Sequence, residues 1–299
     1  MIYYLVARRH APSMGAFLTG LGRGLANRIR VLPYEDLFSG AAMRLPVGTY
    51  IFTSLGADLG ERNPPSRERG LIGDLHRKLV DVCGPARVLN DPLKFMSRFE
   101  LLRELEQRGI NHFAAYRVNG AEAPKRFPVF LREEFGTLWQ VPPLLRDGAE
   151  YAAAVRNARK DRPLIAVEYR DTADAAGIYR KYGCFIVGDR LVPRHLFFSR
   201  NWWVKEADVA EPAALEEEMH FLESNPHERI LKEVFRMSNI SYGRIDYAVV
   251  DGQPQVWEIN ITPSIATAIS SKIGARHAVN EKFMALFSSA LDALDPPTA

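Results

Sequence analysis

The chain has 299 residues, 47% of them hydrophobic and 25% charged, a balance that builds a buried core and excludes a disordered polypeptide. Its 39 basic and 36 acidic residues leave a net +3, too small a surplus to argue for nucleic acid by itself. No apolar stretch approaches the ~20 residues of a spanning helix, and Cys83 and Cys184 stand far apart in no metal spacing, so reduced thiols, no membrane partner and a cytoplasmic location are expected.

IYYLVA, residues 2–7, reads as a buried strand, and this apolar run ahead of Arg8 and Arg9 is too short for a secretory signal. Residues 13–29 place Met14, Phe17, Leu18, Leu21 and Leu25 at helical spacing. RIRVLP and GTYIFTSL read as two more strands. A polar Pro-Pro loop over 60–69 then precedes an amphipathic helix with Leu71, Leu75, Leu79 and Val82 on one face. Gly84-Pro85 stops it, and ARVLN begins a short strand. Strands alternating with helices predict a small parallel α/β unit over residues 1–90. Such units often bind small molecules at the carboxyl ends of their strands. The loop Arg8-Arg9-His10 could face a ligand there, although basic loop residues are more often simply solvated.

In NDPLKFMSRFELLRELEQRGI, Asp91 fits an N-cap and Pro92 the first helical position. Phe95, Phe99, Leu102 and Leu105 make the apolar stripe, and Gly109 ends the helix. Lys94 would sit in the first turn, where a cation opposes the positive end of the helix dipole. A nearby anion such as a nucleotide phosphate would resolve that conflict; a lysine in water tolerates it at roughly a few tenths of a kcal/mol. FPVFLR reads as a strand, 148–160 as a helix ended by Pro163, and PLIAVEYRD as another strand. A polar connection and a hairpin turning at Gly188-Asp189 follow. Arg180, Lys181, Arg194, Arg200 and Lys205 make this region basic, with Tyr179, Tyr182, Trp202 and Trp203 interleaved. The mixture fits nucleic acid or a site for phosphates and an anionic substrate, and the small overall charge favours the second. Helices at 211–223 and 226–237, the latter burying Ile230, Leu231, Val234 and Phe235, read as scaffold. A closing helix buries Phe283, Leu286, Phe287 and Leu291 ahead of a frayed DPPTA tail.

The most informative stretch is YGRIDYAVVDGQPQVWEINITPS, residues 242–264. Ile245, Tyr247 and Val249 alternate with Asp246, Ala248 and Val250, Asp251-Gly252 marks a turn, and VWEINI resumes the alternation. The expected product is an antiparallel hairpin on whose second strand Val256, Glu258 and Asn260 share a face. A two-residue loop would set Asp246 opposite Trp257. An odd loop, Asp251-Gly252-Gln253, or a bulge with the same effect, sets it opposite Glu258; this second register is the expected one. Two carboxylates and an amide oxygen would then converge as hard ligands suited to Mg²⁺. Polar residues on a solvated hairpin face would look alike.

With Arg244 beside Asp246 and Pro263 closing the strand, this hairpin resembles the last strands of the ATP-grasp superfamily, which carry an acidic residue followed by E-x-N. The earlier VLNDP…RGI run is similar to the start of the nucleotide domain in ligases resembling glutathione synthetase. The resemblance implies an α/β (α+β) chain with the ATP-grasp fold: a small N-terminal parallel α/β domain at 1–90, then two α+β subdomains, 91–165 and 166–299, clasping the nucleotide. It implies ATP with one or two Mg²⁺ (or Mn²⁺) as cofactors and Asp246, Glu258 and Asn260 as metal ligands. Lys94 and Lys205 fall to the nucleotide's phosphate or adenine side. Arg132 stands where the family usually presents a phosphate lysine, and only Gly136 represents the family's glycine-rich flap. At the strand end after 167, Tyr169 and Arg170 would offer backbone contacts to adenine while Glu168, Asp171 or Asp174 face the ribose. Arg244 is placed to stabilise the transferring group, and Arg180 and Lys181 to meet an acidic small-molecule or peptide substrate. The activity implied is carboxylate–amine ligation through an acyl phosphate. A kinase acting on a hydroxyl and a non-catalytic nucleotide-binding protein are the alternatives, and a homo-oligomer stays open.

Overall fold

The computed structural model describes residues 1–38, 45–54, 66–136, 140–158, 162–265 and 276–294. The loop expected at 60–69 and the segment after Gly136 lie partly outside these residues, and the DPPTA tail lies wholly outside them. The first unit runs β1 (Ile2–Val6), α1 (Ala11–Thr19), β2 (Ile29–Pro33), α2 (Tyr34–Phe38), β3 (Thr49–Phe52), α3 (Ser66–Cys83) and β4 (Val88–Leu89). Its four strands form a parallel sheet in the order β2-β1-β3-β4. A parallel strand must return through a crossover, which is why strands and helices alternate here. Two details differ from the sequence reading. Leu21 lies beyond the end of α1 and is exposed, and α3 buries Ile72 and Leu79 while Leu71 and Val82 face solvent. Leu75 and Leu79 pack as expected, and only the ends of the stripe move by one residue, to Ile72 and Cys83, because the sheet decides which face of the helix it covers.

A second unit contains α4 (Arg98–Gln107), β5 (Ala115–Arg117), β6 (Val129–Glu133), α5 (Gly148–Asn157) and β7 (Leu164–Glu168), with an antiparallel sheet in the order β5-β7-β6. β5 was not read from the sequence. The helix expected to start at Pro92 starts at Arg98 instead. Ser97 caps it, accepting from the Glu100 amide at 3.2 Å while the Glu100 carboxylate accepts from the Ser97 amide at 2.8 Å. This reciprocal box satisfies two orphan amides and outcompetes Asp91, whose side chain folds back onto the Leu93 amide in a local turn.

The third group is β8 (Tyr179–Val187), β9 (Arg190–Ser199), α6 (Pro212–Ser224), α7 (Glu228–Met237), β10 (Tyr242–Val250), β11 (Gln253–Asn260) and α8 (His277–Leu294). Its antiparallel sheet runs β11-β10-β8-β9. One face, with Cys184, Ile245, Tyr247 and Val256, packs on Leu101 and Leu105 of α4 and on Leu231, Val234 and Phe235 of α7. The other face is divided. At one end Phe185, Val187 and Tyr242 join Ile2, Tyr4, Phe17, Phe283 and Phe287 in a core shared with the parallel sheet. At the other end the side chains are polar.

Asn90 ties these parts together. It adopts the left-handed region at φ 62°, which asparagine tolerates better than most residues. Its amide nitrogen donates to the Phe52 and Tyr242 carbonyls, and its oxygen accepts from the Ser241 and Tyr242 amides. The parallel sheet is thereby fixed to the start of β10. No described helix is long and apolar enough to cross a membrane.

Candidate active site

The β10–β11 hairpin turns through two residues, Asp251 and Gly252, both at positive φ (51° and 75°), as a type I′ turn requires. Taken alone, that turn would set Asp246 opposite Trp257. The register instead shifts between Asp246 and Tyr247: Tyr247 pairs with Val256 and Asp246 with Glu258, leaving Trp257 as the extra residue of a bulge. The odd loop is therefore absent and the bulge does its work. Asn111 anchors it, its side chain accepting from the Val256 amide at 2.8 Å and donating to the Val256 carbonyl at 2.9 Å. The freed Trp257 ring stacks on Phe113 at 4.6 Å.

Asp246, Glu258 and Asn260 meet at one point. The Asn260 amide nitrogen lies 3.5 Å from Asp246 Oδ2 and 3.4 Å from Glu258 Oε1. An amide flip would turn its oxygen to the same place, and that assignment is interchangeable in asparagine. Among the described residues no three His, Cys, Asp or Glu side chains could hold a metal; here an amide completes the set. Three hard oxygens on that spacing fit a divalent cation such as Mg²⁺.

Both carboxylates are held by arginines. Arg244 grips Asp246 bidentately at 2.7 and 3.0 Å and donates to the Ser264 carbonyl. Burial opposes its charge, and Asp246 and Glu258 together outweigh burial, leaving the guanidinium pKa raised. Glu258 Oε2 accepts from Arg98 at 2.7 Å and Arg132 at 2.6 Å. Burial would raise the Glu258 carboxyl, but Arg132, Arg98 and Lys205 hold it well below the usual carboxylate range. Arg132 itself is pushed down to about 10 by burial and by Arg98.

Above this row lies a cleft open to solvent. Its polar wall includes Arg132, Lys181, Lys205, Asp246 and Glu258, and its aromatic wall Phe130, Tyr169, Trp202, Trp203 and Trp257. The Lys205 ammonium lies 4.7 Å over the Trp203 ring and is pushed down to about 8 by burial. Burial likewise lowers Lys181, whose ammonium has no ion-pair partner among the described residues and lies 5.4 Å over the Phe197 ring.

The other expected residues divide. Tyr169 and Arg170 line the cleft, and the Tyr169 amide donates to the Pro128 carbonyl. Arg180 lines it too, but its guanidinium is committed to Glu217 and Asp174. Glu168 faces no cleft: it is buried, accepting from the Ala114 amide, the Tyr116 hydroxyl and Arg126. Asp171 accepts from the Ala173 amide, and Asp174 from the Ala176 and Ile178 amides, as turn formers. Lys94 is exposed, pairs with Asp91 at 3.0 Å and lies outside the cleft lining. With the helix starting at Arg98, no dipole conflict exists at Lys94. Arg98 was not singled out from the sequence; the Ser97-x-x-Glu100 box would have placed it at the first helical position.

No protein-family model and no curated protein matches the chain. Solved structures do. The D-alanine–D-alanine ligase of Bacillus anthracis in complex with ATP superposes with a TM-score of 0.55 at 13% identity, over 98% of both chains. The ATP-grasp ligase PsnB, complexed with a minimal precursor, gives 0.53 at 13% identity over 96% of this chain and 98% of that one. The macrocyclase MdnC of Microcystis aeruginosa, bound with the precursor peptide MdnA, gives 0.50 at 14% identity over 96% and 100%. The chain has the ATP-grasp fold.

Proposed function

We propose that the protein is an ATP-dependent carboxylate–amine ligase acting in the cytoplasm on a small acidic, amino-acid or peptide substrate. The observation that carries this reading is the cleft itself: an aromatic wall for a base, a cationic floor for phosphates, and beneath them the Asp246–Glu258–Asn260 row. The three solved structures above are a ligase with ATP, an ATP-grasp ligase with a minimal precursor and a macrocyclase with a precursor peptide, which supports both the reaction and the substrate class. The three units would correspond to domains at 1–90, 91–165 and 166–299.

A carboxylate is a poor electrophile. Transfer of the γ-phosphoryl group of ATP to it creates an acyl phosphate with a good leaving group, which an amine then displaces. Little covalent chemistry falls to the protein in phosphoryl transfer; positioning and charge stabilisation dominate. Arg132 and Lys205 face the cleft where the phosphates would lie, and Lys181 and Arg244, on the sheet that carries Asp246, would meet the acceptor. Asp246, Glu258 and Asn260 would hold one or two Mg²⁺, which when bound offset charge on the phosphate oxygens. Tyr169, Trp202 and Trp203 exclude water from one side.

Incubating the protein with Mg²⁺, ATP and pooled carboxylates and amines tests the reading. Phosphate release that needs both acceptors is expected; release needing only a hydroxyl compound indicates a kinase, and binding without turnover a nucleotide sensor. Glu258→Gln should lower turnover at least about a hundredfold, the scale seen when an electrostatic group of a transition state is removed. Unchanged turnover in that variant would refute the metal assignment.

A further inference from the structure

Between the end of β9 at Ser199 and the start of α6 at Pro212 the chain forms neither helix nor strand, apart from one bridge between Phe198 and Val209. That stretch nevertheless carries much of the cleft, since Trp202, Trp203, Val204 and Lys205 all line it. Trp202 meets Phe130 and Tyr169 at 5.1 and 5.3 Å between ring centres, and Trp203 meets Phe130 at 5.6 Å. A loop that belongs to the third group thus rests its tryptophans on the core of the second. Backbone amides outside helices and sheets need other partners, and in this loop side chains supply them.

The contacts start at Asp208. Its Oδ1 accepts from the Arg200 amide at 3.1 Å, and its Oδ2 from the Ser199 hydroxyl at 2.9 Å. The same hydroxyl accepts from the Asn201 amide at 2.9 Å, and Asn201 Oδ1 accepts from the Trp203 amide at 2.8 Å. At the neck the Asp208 and Val209 amides both donate to the Phe198 carbonyl, at 3.1 and 3.2 Å. One carboxylate therefore ties the two ends of the loop together and reaches the Trp203 backbone through Ser199 and Asn201. None of these three side chains lines the cleft. A surface already held in its bound arrangement loses less freedom when a ligand arrives.

We propose that Asp208 is a positioning residue of the cleft: through Ser199 and Asn201 it holds Trp202, Trp203 and Lys205 where a base and its phosphates would meet them. This rests on the reading of the cleft as a nucleotide site. The acceptor oxygens carry the role, not the charge. An asparagine at 208 can still accept from Arg200 and donate to the Ser199 oxygen, which has two lone pairs; an alanine can do neither.

The test is the dissociation constant of adenylyl imidodiphosphate, a non-hydrolysable triphosphate, measured by calorimetry on the full chain with Mg²⁺. Acrylamide quenching of the tryptophan emission, without ligand, follows the loop by itself. Asp208→Ala should weaken binding of the analogue about tenfold, two hydrogen bonds at the lower end of their usual contribution, and should raise the quenching. Asp208→Asn should return both readouts to those of the wild type. Asn201→Ala removes only the acceptor of the Trp203 amide and should weaken the analogue about threefold; it decides alone, by the same criterion, if Asp208→Ala does not fold. A role confined to stability would lower the urea midpoint and leave the affinity of the folded chain unchanged. Wild-type affinity in the folded Asp208→Ala or Asn201→Ala chain, or an Asp208→Asn chain as weak as Asp208→Ala, overturns the positioning role while leaving the nucleotide site standing. No binding of the analogue to the wild type overturns the cleft reading, and the positioning role with it.

Discussion

Glu168 and Gly183 show how single positions near the cleft serve it without touching a ligand. Glu168 links β7 to the Ala114 amide, the Tyr116 hydroxyl and Arg126. Burial alone would raise its pKa, but Arg126 and these donors hold it below the usual 4.5. A carboxylate depressed by folding stabilises the native state above its unfolded pKa and loses that contribution as pH falls through the folded value. Urea unfolding of the wild type should therefore weaken below about pH 4.5, and Glu168→Gln should flatten that part of the profile while lowering stability at neutral pH. A variant with the same acid limb as the wild type would contradict this. Gly183 sits between His195 and Asp246 in one cross-strand row. A Cβ there would lie 2.4 Å from His195 Cε1 and 2.5 Å from Nε2, inside a ring that is fully buried and stacked on Phe197 at 4.0 Å. Gly183→Ala should cost about 1–3 kcal/mol, as overpacking does, read from the shift in the urea midpoint.

At the scale of elements, α4 and the β10–β11 hairpin aim the site. The Ser97 box sets where α4 begins, and so puts Arg98 within reach of Glu258. The Ser97 hydroxyl also donates to the buried Glu134 at 2.8 Å, tying the helix start to the end of β6, whose Arg132 meets the same carboxylate. Ser97→Ala should cost about 1–2 kcal/mol, the upper part of the range for a lost cap, because Glu134 loses a partner as well; a change in the urea midpoint too small to measure would disprove that double role. The loop after α4 is stitched to β11 by Asn111 and by Gln255, whose side chain accepts from the His112 amide at 2.8 Å. The helix and the loop that follows it thus contact the hairpin at both Glu258 and the bulge.

Across the whole molecule, the cleft lies between two sheets, with Phe130, Arg132 and Tyr169 from one side and Lys181, Asp246, Trp257 and Glu258 from the other. A ligand that bridges them should stabilise the fold as a unit. At a hundred times its dissociation constant, bound nucleotide adds about 2.7 kcal/mol, which for a chain of this size corresponds to a rise of roughly 5 °C in the melting midpoint. Differential scanning fluorimetry with Mg²⁺ and adenylyl imidodiphosphate should show this rise in the wild type and little of it in Glu258→Gln. No shift in the wild type would count against the cleft as a nucleotide site.

Local patterning determined much of this protein before any coordinates. The alternation of β10 and β11, the Asp251-Gly252 turn and the helical stripes of α7 and α8 follow from periods of 2 and 3.6, which need only neighbours along the chain. So does the placing of Glu258 and Asn260 on one face. That Asp246 joins them was the expected register, but the two-residue turn alone opposes it, and what supplies it is a bulge anchored by Asn111, about 145 residues away in sequence. The same limit explains Glu168, which looked like any acid at a strand end until Ala114, Tyr116 and Arg126 closed around it. It explains Arg98 too, an ordinary helix residue until β6 and β11 arrive beside it. Charge at a site is a property of which side chains face one another through space, and only tertiary packing sets that.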